Sequence, residues 1–292
     1  MNIASPDARS QVDPTIRAGI LNHIDSSLPI TILPVSYQPD FTFVPPRISG
    51  KYVIVDFLEP NFRQSEYDKF WAWTKQNPPT LHFKRELLKK DVTPTLKPIE
   101  FPCVFKPTRI SDRASFNARK FDVLYFWGYS HISRPLLQGD IWRGMGKDGI
   151  SVLSHWDQIE GIENIPADQR GPLWLAVYTP HWTRKPMSEI LPIMAQTKVT
   201  VAMPGNGEKC FRHAECVDTL MAMRVNDRAW SFPWNHNNSI QLGEGDEYEG
   251  LISAFGRSDL YDFYMNCCDN MANYFAPTYA KNYVEAEIKK IL

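Results

Sequence analysis

Apolar residues along this chain fall into two rhythms, short continuous runs and longer stretches of helical spacing, and together they predict a layered α/β protein. The clearest run is Lys51-Tyr-Val-Ile-Val-Asp-Phe57, nearly uninterrupted and rich in β-branched residues, which suits a parallel strand buried on both faces. Ser65 to Gln76 follows as a helix, with Ser65 as its N-cap and Tyr67, Phe70 and Trp71 on one apolar stripe. Thr80-Leu-His-Phe83 is the next strand and runs into Lys84-Arg85-Glu86, charges placed where the C-terminal ends of parallel strands meet ligands. Residues 1 to 48 read as irregular, broken by Pro, Ser and Asp, with strand-like character only at Ile30-Thr-Ile-Leu33 and Phe41-Thr-Phe-Val44.

From Leu87 to Lys120 prolines and basic residues interrupt any period, so this stretch reads as a connection. A second series then opens with Phe121-Asp-Val-Leu-Tyr-Phe-Trp127, followed by Gly128, a loop holding His131, Ser133 and Arg134, and a helix from Pro135 to Gly144. Further strands are predicted at Ser151 to Ser154, Leu173 to Tyr178 and Val199 to Met203, with helices at Glu189 to Gln196 and Phe211 to Met223. Arg228 to Phe232 and Ser239 to Leu242 read as the last short strands. Helices over Tyr248 to Phe255, Asp259 to Phe275 and Tyr279 to Leu292 form a tail. Two alternating series predict two Rossmann-like lobes: a reduced N-terminal lobe over residues 1–118, on the acceptor side, and a C-terminal lobe over 119–292 that carries the tail.

The chemistry concentrates in Lys198-Val-Thr-Val-Ala-Met-Pro-Gly-Asn-Gly-Glu-Lys-Cys-Phe-Arg-His-Ala-Glu215, an apolar strand entering a Gly-Asn-Gly turn and then a helix. Gly205 and Gly207 permit positive φ and close backbone approach, and the helix beyond them offers unpaired N–H groups to a phosphate. Arg212 adds a bidentate clamp, and Glu215, one turn further on, can accept from the two hydroxyls of a ribose. The same turn also suits a plain strand-to-helix connection.

Composition narrows the setting. The chain has 292 residues, 43% of them hydrophobic, enough for a core that needs no staples. Its formal net charge of −1 provides no global field toward nucleic acid or an anionic membrane, and leaves only a local basic groove open. Five cysteines, an odd number without framework spacing, and an N-terminus without an apolar signal core point to a cytoplasmic protein. No run approaches the roughly eighteen apolar residues of a spanning helix, so any membrane contact would be peripheral. That cytoplasm could be that of a virus-infected cell.

In the order of its parts, the second half resembles the nucleotide-sugar-binding half of GT-B glycosyltransferases, in particular exostosin-like and related small families. Phe121 to Gly128 with Arg134 behind it, Lys198 to Gly207, Phe211-Arg212-x-x-Glu215 and the helical tail carry the likeness, over roughly residues 119–290. Phe83-Lys-Arg-Glu86 is shared with some relatives. The resemblance implies a nucleotide-diphosphate sugar as co-substrate, with no separate cofactor. It makes Gly205, Asn206, Gly207 and Arg212 the diphosphate contacts, Glu215 the ribose contact and Arg134 a second phosphate ligand. Relatives usually have a small residue and Gly closing the helix and an apolar-Pro strand after it, whereas this chain reads Met223-Arg-Val-Asn-Asp-Arg228.

Glycosyl transfer builds negative charge on the departing diphosphate, so fixed cations and N–H dipoles are the main requirement. Arg212, Arg134 and the glycine turn meet it, and no Asp-x-Asp pair is present, so transfer is expected to need no metal. A base for the acceptor hydroxyl is sought among strand-end residues Asp56, Glu59, His82 and His131, with Asp56 and His131 joining Arg212 and Arg134 in the catalytic set. Cys210-x-x-His213-x-x-Cys216 has no fourth ligand placed with it and is not read as a zinc site. Trp230-Ser-Phe-Pro-Trp-Asn-His-Asn-Asn238 suits core packing and recognition of a sugar or nucleobase equally well.

Three functions fit: a hexosyl- or pentosyltransferase acting on a glycan hydroxyl, a transferase acting on a hydroxymethylated DNA base, or a non-catalytic glycan- or nucleotide-binding protein. The DNA reading would use Lys84, Arg85, Lys89, Lys90, Lys106, Arg109, Arg113, Arg119 and Lys120 as a backbone-tracking groove.

Overall fold

The computed structural model describes residues 1–6, 12–36, 41–58, 64–108, 112–125, 150–155, 166, 170–178, 186–202, 209, 211–224, 226–243 and 245–292. They form two parallel sheets, each with helices packed on it, and a helical C-terminal segment. Both sheets share one continuous apolar core.

The N-terminal sheet has five strands in sequence order, β1 (Asn2–Ile3), β2 (Thr31–Ser36), β3 (Tyr52–Phe57), β4 (Leu81–Lys84) and β5 (Leu96–Pro98), all parallel. Every residue of β3 is buried, because both faces of the sheet are covered. One face takes helix α2 (Gln64–Gln76), whose Tyr67 and Phe70 pack with Leu33, Val35, Phe41 and Ile54. The other takes Val53, Val55, Leu81 and Phe83 into the main core. Pro34 interrupts β2 without harm: β1 reaches only Thr31 and Ile32, so at Pro34 the strand has one neighbour.

The first 48 residues are more ordered than their composition predicts. Helix α1 (Pro14–Gly19) starts with Asp13 accepting from the N–H groups of Thr15 at 2.8 Å and Ile16 at 3.3 Å, and Pro14 occupies the first turn. Phe41 to Val44 belongs to no named strand; the Phe43 N–H donates to Glu66 and the Val44 N–H to the Pro6 carbonyl. The connection up to Lys120 contains β5 and the short helix α3 (Arg113–Asn117).

The C-terminal sheet comprises β6 (Phe121–Tyr125), β7 (Ile150–His155), β8 (Arg170–Tyr178), β9 (Thr197–Ala202), β10 (Leu220–Arg224) and β11 (Ile240–Leu242), in the order β11-β10-β9-β6-β8-β7, all parallel. The chain starts in the middle at β6, builds one side through β7 and β8, then returns past β6 to build the other. Its topological switch point therefore lies between β8 and β9, astride β6. Helices α4 (Met187–Met194) and α5 (Phe211–Glu215) flank β9 in sequence.

Two predicted elements are corrected here. The helix foreseen over Phe211 to Met223 ends at Glu215; Asp218 turns the chain at φ 58°, and Leu220 to Met223 become the buried centre of β10. Leu, Met and Ala favour helix, but pairing with β9 and β11 and complete burial override that preference. Arg228 to Phe232 is no strand either, forming a single isolated antiparallel bridge from Arg228 to Leu88.

After α6 (Glu247–Phe255) and α7 (Leu260–Tyr274), the chain returns to the N-terminal sheet through α8 (Ala276–Tyr279), a π-helical stretch (Ala280–Glu285) and α9 (Ala286–Lys289). The Tyr283 ring meets Phe83 edge-on at 5.9 Å and its hydroxyl donates to the Pro98 carbonyl at 2.7 Å. Lys97 pairs with Glu287 at 3.3 Å, and the Asp25 N–H donates to Glu285 at 3.1 Å. These contacts fasten the two lobes through the tail. No helix among the described residues is long and apolar enough to cross a membrane.

Candidate functional site

In open parallel sheets ligands bind beyond the carboxyl ends of the strands, at the switch point. Here Tyr125 at the end of β6 lies opposite Val201 of β9. The segment with His131 and Arg134 leaves β6, and the Gly205-Asn206-Gly207 turn leaves β9, so both start from neighbouring strand ends. His131, Arg134, Gly205, Asn206, Gly207 and the predicted base Glu59 lie outside the described residues, as does the Arg212 side chain. Arg212 itself belongs to α5, which at five residues is too short to develop a strong dipole.

Beside that point, between the lobes, is a cavity of about 470 Å³, within the range of roughly 300–1,000 Å³ usual for ligand sites. Lys89, Val92 and Pro98 of the N-terminal lobe form one wall. The opposite side is the end of β10, Met223 and Arg224, with Gln241 of β11. Since Met223 pairs with Ala202, the last residue of β9, the cavity opens one strand away from the end of β9. Trp230, Phe232 and Trp234 supply an aromatic wall.

The 230–238 segment divides into two halves. Its aromatic half faces the cavity and is propped from behind: Phe232 stacks on Tyr274 at 3.6 Å between centroids, and Trp234 Nε1 donates to the Tyr274 hydroxyl at 2.6 Å. Its amide half holds the loop together. The Asn235 N–H donates to Asn238 Oδ1 at 2.9 Å, and Asn238 Nδ2 donates to the Pro233 carbonyl at 2.9 Å.

Next to the cavity residues Ala229 and Trp230, a buried ionic cluster joins the lobes. Lys209, 1% exposed, donates from Nζ to Glu100 Oε1 at 2.7 Å and to the Ala229 carbonyl, and from its backbone N–H to Glu86 Oε1 at 3.2 Å. Burial pulls the Lys209 ammonium below its ordinary pKa, and Glu100 opposes that pull. Arg228 Nη1 donates to the Glu86 carbonyl at 3.1 Å, and Arg85, fully buried, lies 3.4 Å from the Glu86 carboxylate with Phe101 beneath its guanidinium. Sequence reasoning did not find Lys209 or Glu100.

Asp56 and His82, two of the base candidates, are brought together on β3 and β4. Asp56, 1% exposed, receives Lys84 Nζ at 3.1 Å, lies 3.3 Å from His82 Nε2 and accepts the Leu58 N–H at 2.8 Å. Trp71 stacks on His82 at 5.7 Å, and Lys84 sits 4.6 Å over the same indole. Burial alone would raise the Asp56 carboxyl, but Lys84 and His82 outweigh it and hold it at about 2. A folded-state value below the ordinary 3.8 contributes stability above about pH 4 that is lost as pH falls toward 2. Nearly two units correspond to about 2 kcal/mol. Asp56→Asn should therefore cost about that much at pH 7 and almost nothing at pH 2; urea unfolding at both pH values checks it.

Glu215 is half-buried at the end of α5, near enough to help burial push the Cys103 thiol up to about 12. His213 is buried against Trp230, 5.1 Å between rings, and Cys216 is in the core. Among the described residues no three His, Cys, Asp or Glu side chains gather as a metal site. Arg85 and Arg119 are buried, Arg119 donating to the carbonyls of Thr197 and Asp218, and Lys84 is engaged by Asp56. These three, and Arg113, which pairs with Asp262 at 3.1 Å, belong to the nine cations proposed for a DNA groove.

No family model matches the chain, and no curated protein does. Among solved structures it is similar to the glycotransferase of kitacinnamycin, 10% identical over 90% of this chain and 76% of the other, with a TM-score of 0.39. It is similar also to the calicheamicin glycosyltransferase CalG4, 9% identical over 94% and 77%, TM-score 0.38. The Streptomyces sp. SF2575 glycosyltransferase SsfS6, in complex with thymidine diphosphate, is 14% identical over 81% of this chain, TM-score 0.38, and the chain spans 63% of its length.

Proposed function

We propose that this chain is a glycosyltransferase that moves a hexosyl or pentosyl group from a nucleotide-diphosphate sugar to a carbohydrate hydroxyl without a metal. The observation that carries the reading is the aromatic-walled cavity between the lobes, one strand away from where the glycine turn leaves β9. A planar base fits against Trp230 or Trp234, and the diphosphate reaches toward Gly205, Asn206 and Gly207. With α5 so short, the anion is held by the turn's N–H groups and by the Arg212 and Arg134 guanidiniums rather than by a helix dipole. These cations stabilise charge as it develops on the leaving diphosphate. Glu215 takes the ribose hydroxyls.

On the acceptor side His82 is the base. Asp56, too buried and too acidic to take a proton itself, orients the imidazole. A glycan acceptor is favoured over a DNA base because the inward-facing Arg85 and Arg119 weaken any basic stripe.

The test is a thermal-shift panel of UDP, GDP and TDP with and without EDTA. A ligand at a hundred times its dissociation constant stabilises by about 2.7 kcal/mol, and that shift should survive the chelator. Absence of any shift across the panel would reject the reading. Slow donor hydrolysis without acceptor then separates an enzyme from a binding protein.

A further inference from the structure

The cavity between the lobes carries charge of one sign. Among the described residues that line it, the charged ones are Lys89 and Arg224, both cationic, and they share it with the aromatic wall of Trp230, Phe232 and Trp234. A cleft lined by a single sign of charge focuses its field on whatever enters. A neutral ligand draws little from the two cations, whereas a planar anion meets both kinds of lining at once.

Lys89 is also held in place. Its N–H donates to the Asp227 carbonyl at 2.9 Å, and the Ala229 N–H donates to the Leu87 carbonyl at 2.8 Å, on either side of the bridge between Leu88 and Arg228. This short ladder fixes a lysine of the N-terminal lobe beside the segment that leaves β10. Its ammonium then donates to the carbonyl of Asn226, itself a lining residue, at 3.1 Å. An ammonium carries three donors, and among the described residues no carboxylate pairs with this one.

We propose that Lys89 and Arg224 form an anion subsite inside this cavity, which holds the first phosphate of a nucleotide, the one attached to the ribose, while the base stacks on the tryptophan wall. The subsite rests on the nucleotide-sugar reading above and adds to it a phosphate contact from the N-terminal lobe. Lysine binds a phosphate as a point charge and arginine through paired N–H groups. A single phosphate should therefore already raise affinity over the bare nucleoside, through these two residues.

The experiment is calorimetric titration of the full chain with uridine, UMP and UDP, and with the guanosine and thymidine series. Wild type should bind the monophosphate of its preferred base at least about tenfold more tightly than the nucleoside. In Lys89→Gln that advantage should fall by about three- to tenfold, and in Lys89→Gln/Arg224→Gln to within about twofold of none, while nucleoside affinity stays within about twofold of wild type. Lys89→Arg, which keeps the cation, should recover most of it. Lys89 is exposed, so Lys89→Gln should fold normally and carries the test should the double variant not fold. A wild type that binds UDP but gains nothing from UMP over uridine overturns the subsite and leaves the glycosyltransferase reading standing. An undiminished advantage in Lys89→Gln, or an equal loss for nucleoside and monophosphate, does the same. Failure of wild type to bind any nucleoside diphosphate overturns both.

Discussion

Lys209→Met is expected to destabilise the protein by about 3–5 kcal/mol, among the larger losses a single substitution produces here. Lys209 and Glu100 are 1% and 2% exposed, so solvent cannot take over the role of either partner. Without the ammonium, Glu100 keeps its two bonds from Ser231 but remains a buried anion facing a methyl group. The Ala229 carbonyl loses its donor as well. Lys209→Met/Glu100→Gln removes the stranded charge and should return to within about 1–2 kcal/mol of wild type, since a buried pair exchanged together is often close to neutral. Urea unfolding of the three proteins checks this, provided the m-values agree. A double variant no better than the single one would mean that the pair is not the unit of stability.

This pair shows where the sequence stops informing. β3 and α2 were legible because a strand covered on both faces must be continuously apolar and a helix covered on one face must repeat at helical spacing. The return tail was legible for the same reason. β10 was not, since Leu220-Met-Ala-Met223 has helical propensity and a strand's burial at once, and the neighbouring strands decide between them. Helix α1 carried readable signals in Asp13 and Pro14, an N-cap followed by a first-turn proline, that the surrounding polar composition obscured.

The site divides in the same way. The glycine turn, Arg212 and Glu215 proposed for it form a local pattern, and the aromatic segment announced itself by composition. Reading Arg228 to Phe232 as a strand missed the turn-forming Pro233 and Asn235 that follow it. Glu100 and Lys209 are far apart in the chain, and nothing local links them. The available clue was a lone acid between Ile99 and Phe101, both buried in the structure, where a charge has to find a partner. Asp56 offered the same clue within its apolar run, and it too proved to be paired.

Arg212→Ala is the substitution that should act on binding while sparing the fold. A guanidinium that grips a diphosphate in bidentate fashion contributes charge-assisted hydrogen bonds of about 1.5–3 kcal/mol, so its removal should weaken nucleoside diphosphates by roughly ten- to a hundredfold. Its position in a five-residue helix, with no long stretch of regular structure depending on it, keeps the expected stability change within about 1 kcal/mol. The contrast with Lys209→Met is the decisive comparison: one lowers affinity with an unchanged urea midpoint, the other lowers the midpoint. Calorimetric titration with UDP, GDP and TDP beside urea unfolding reads both quantities. Because bare nucleosides bring no phosphate to the turn, their affinity for Arg212→Ala should match wild type. A parallel loss for nucleosides would place Arg212 at the base rather than at the diphosphate, and would move the leaving group away from the end of β9.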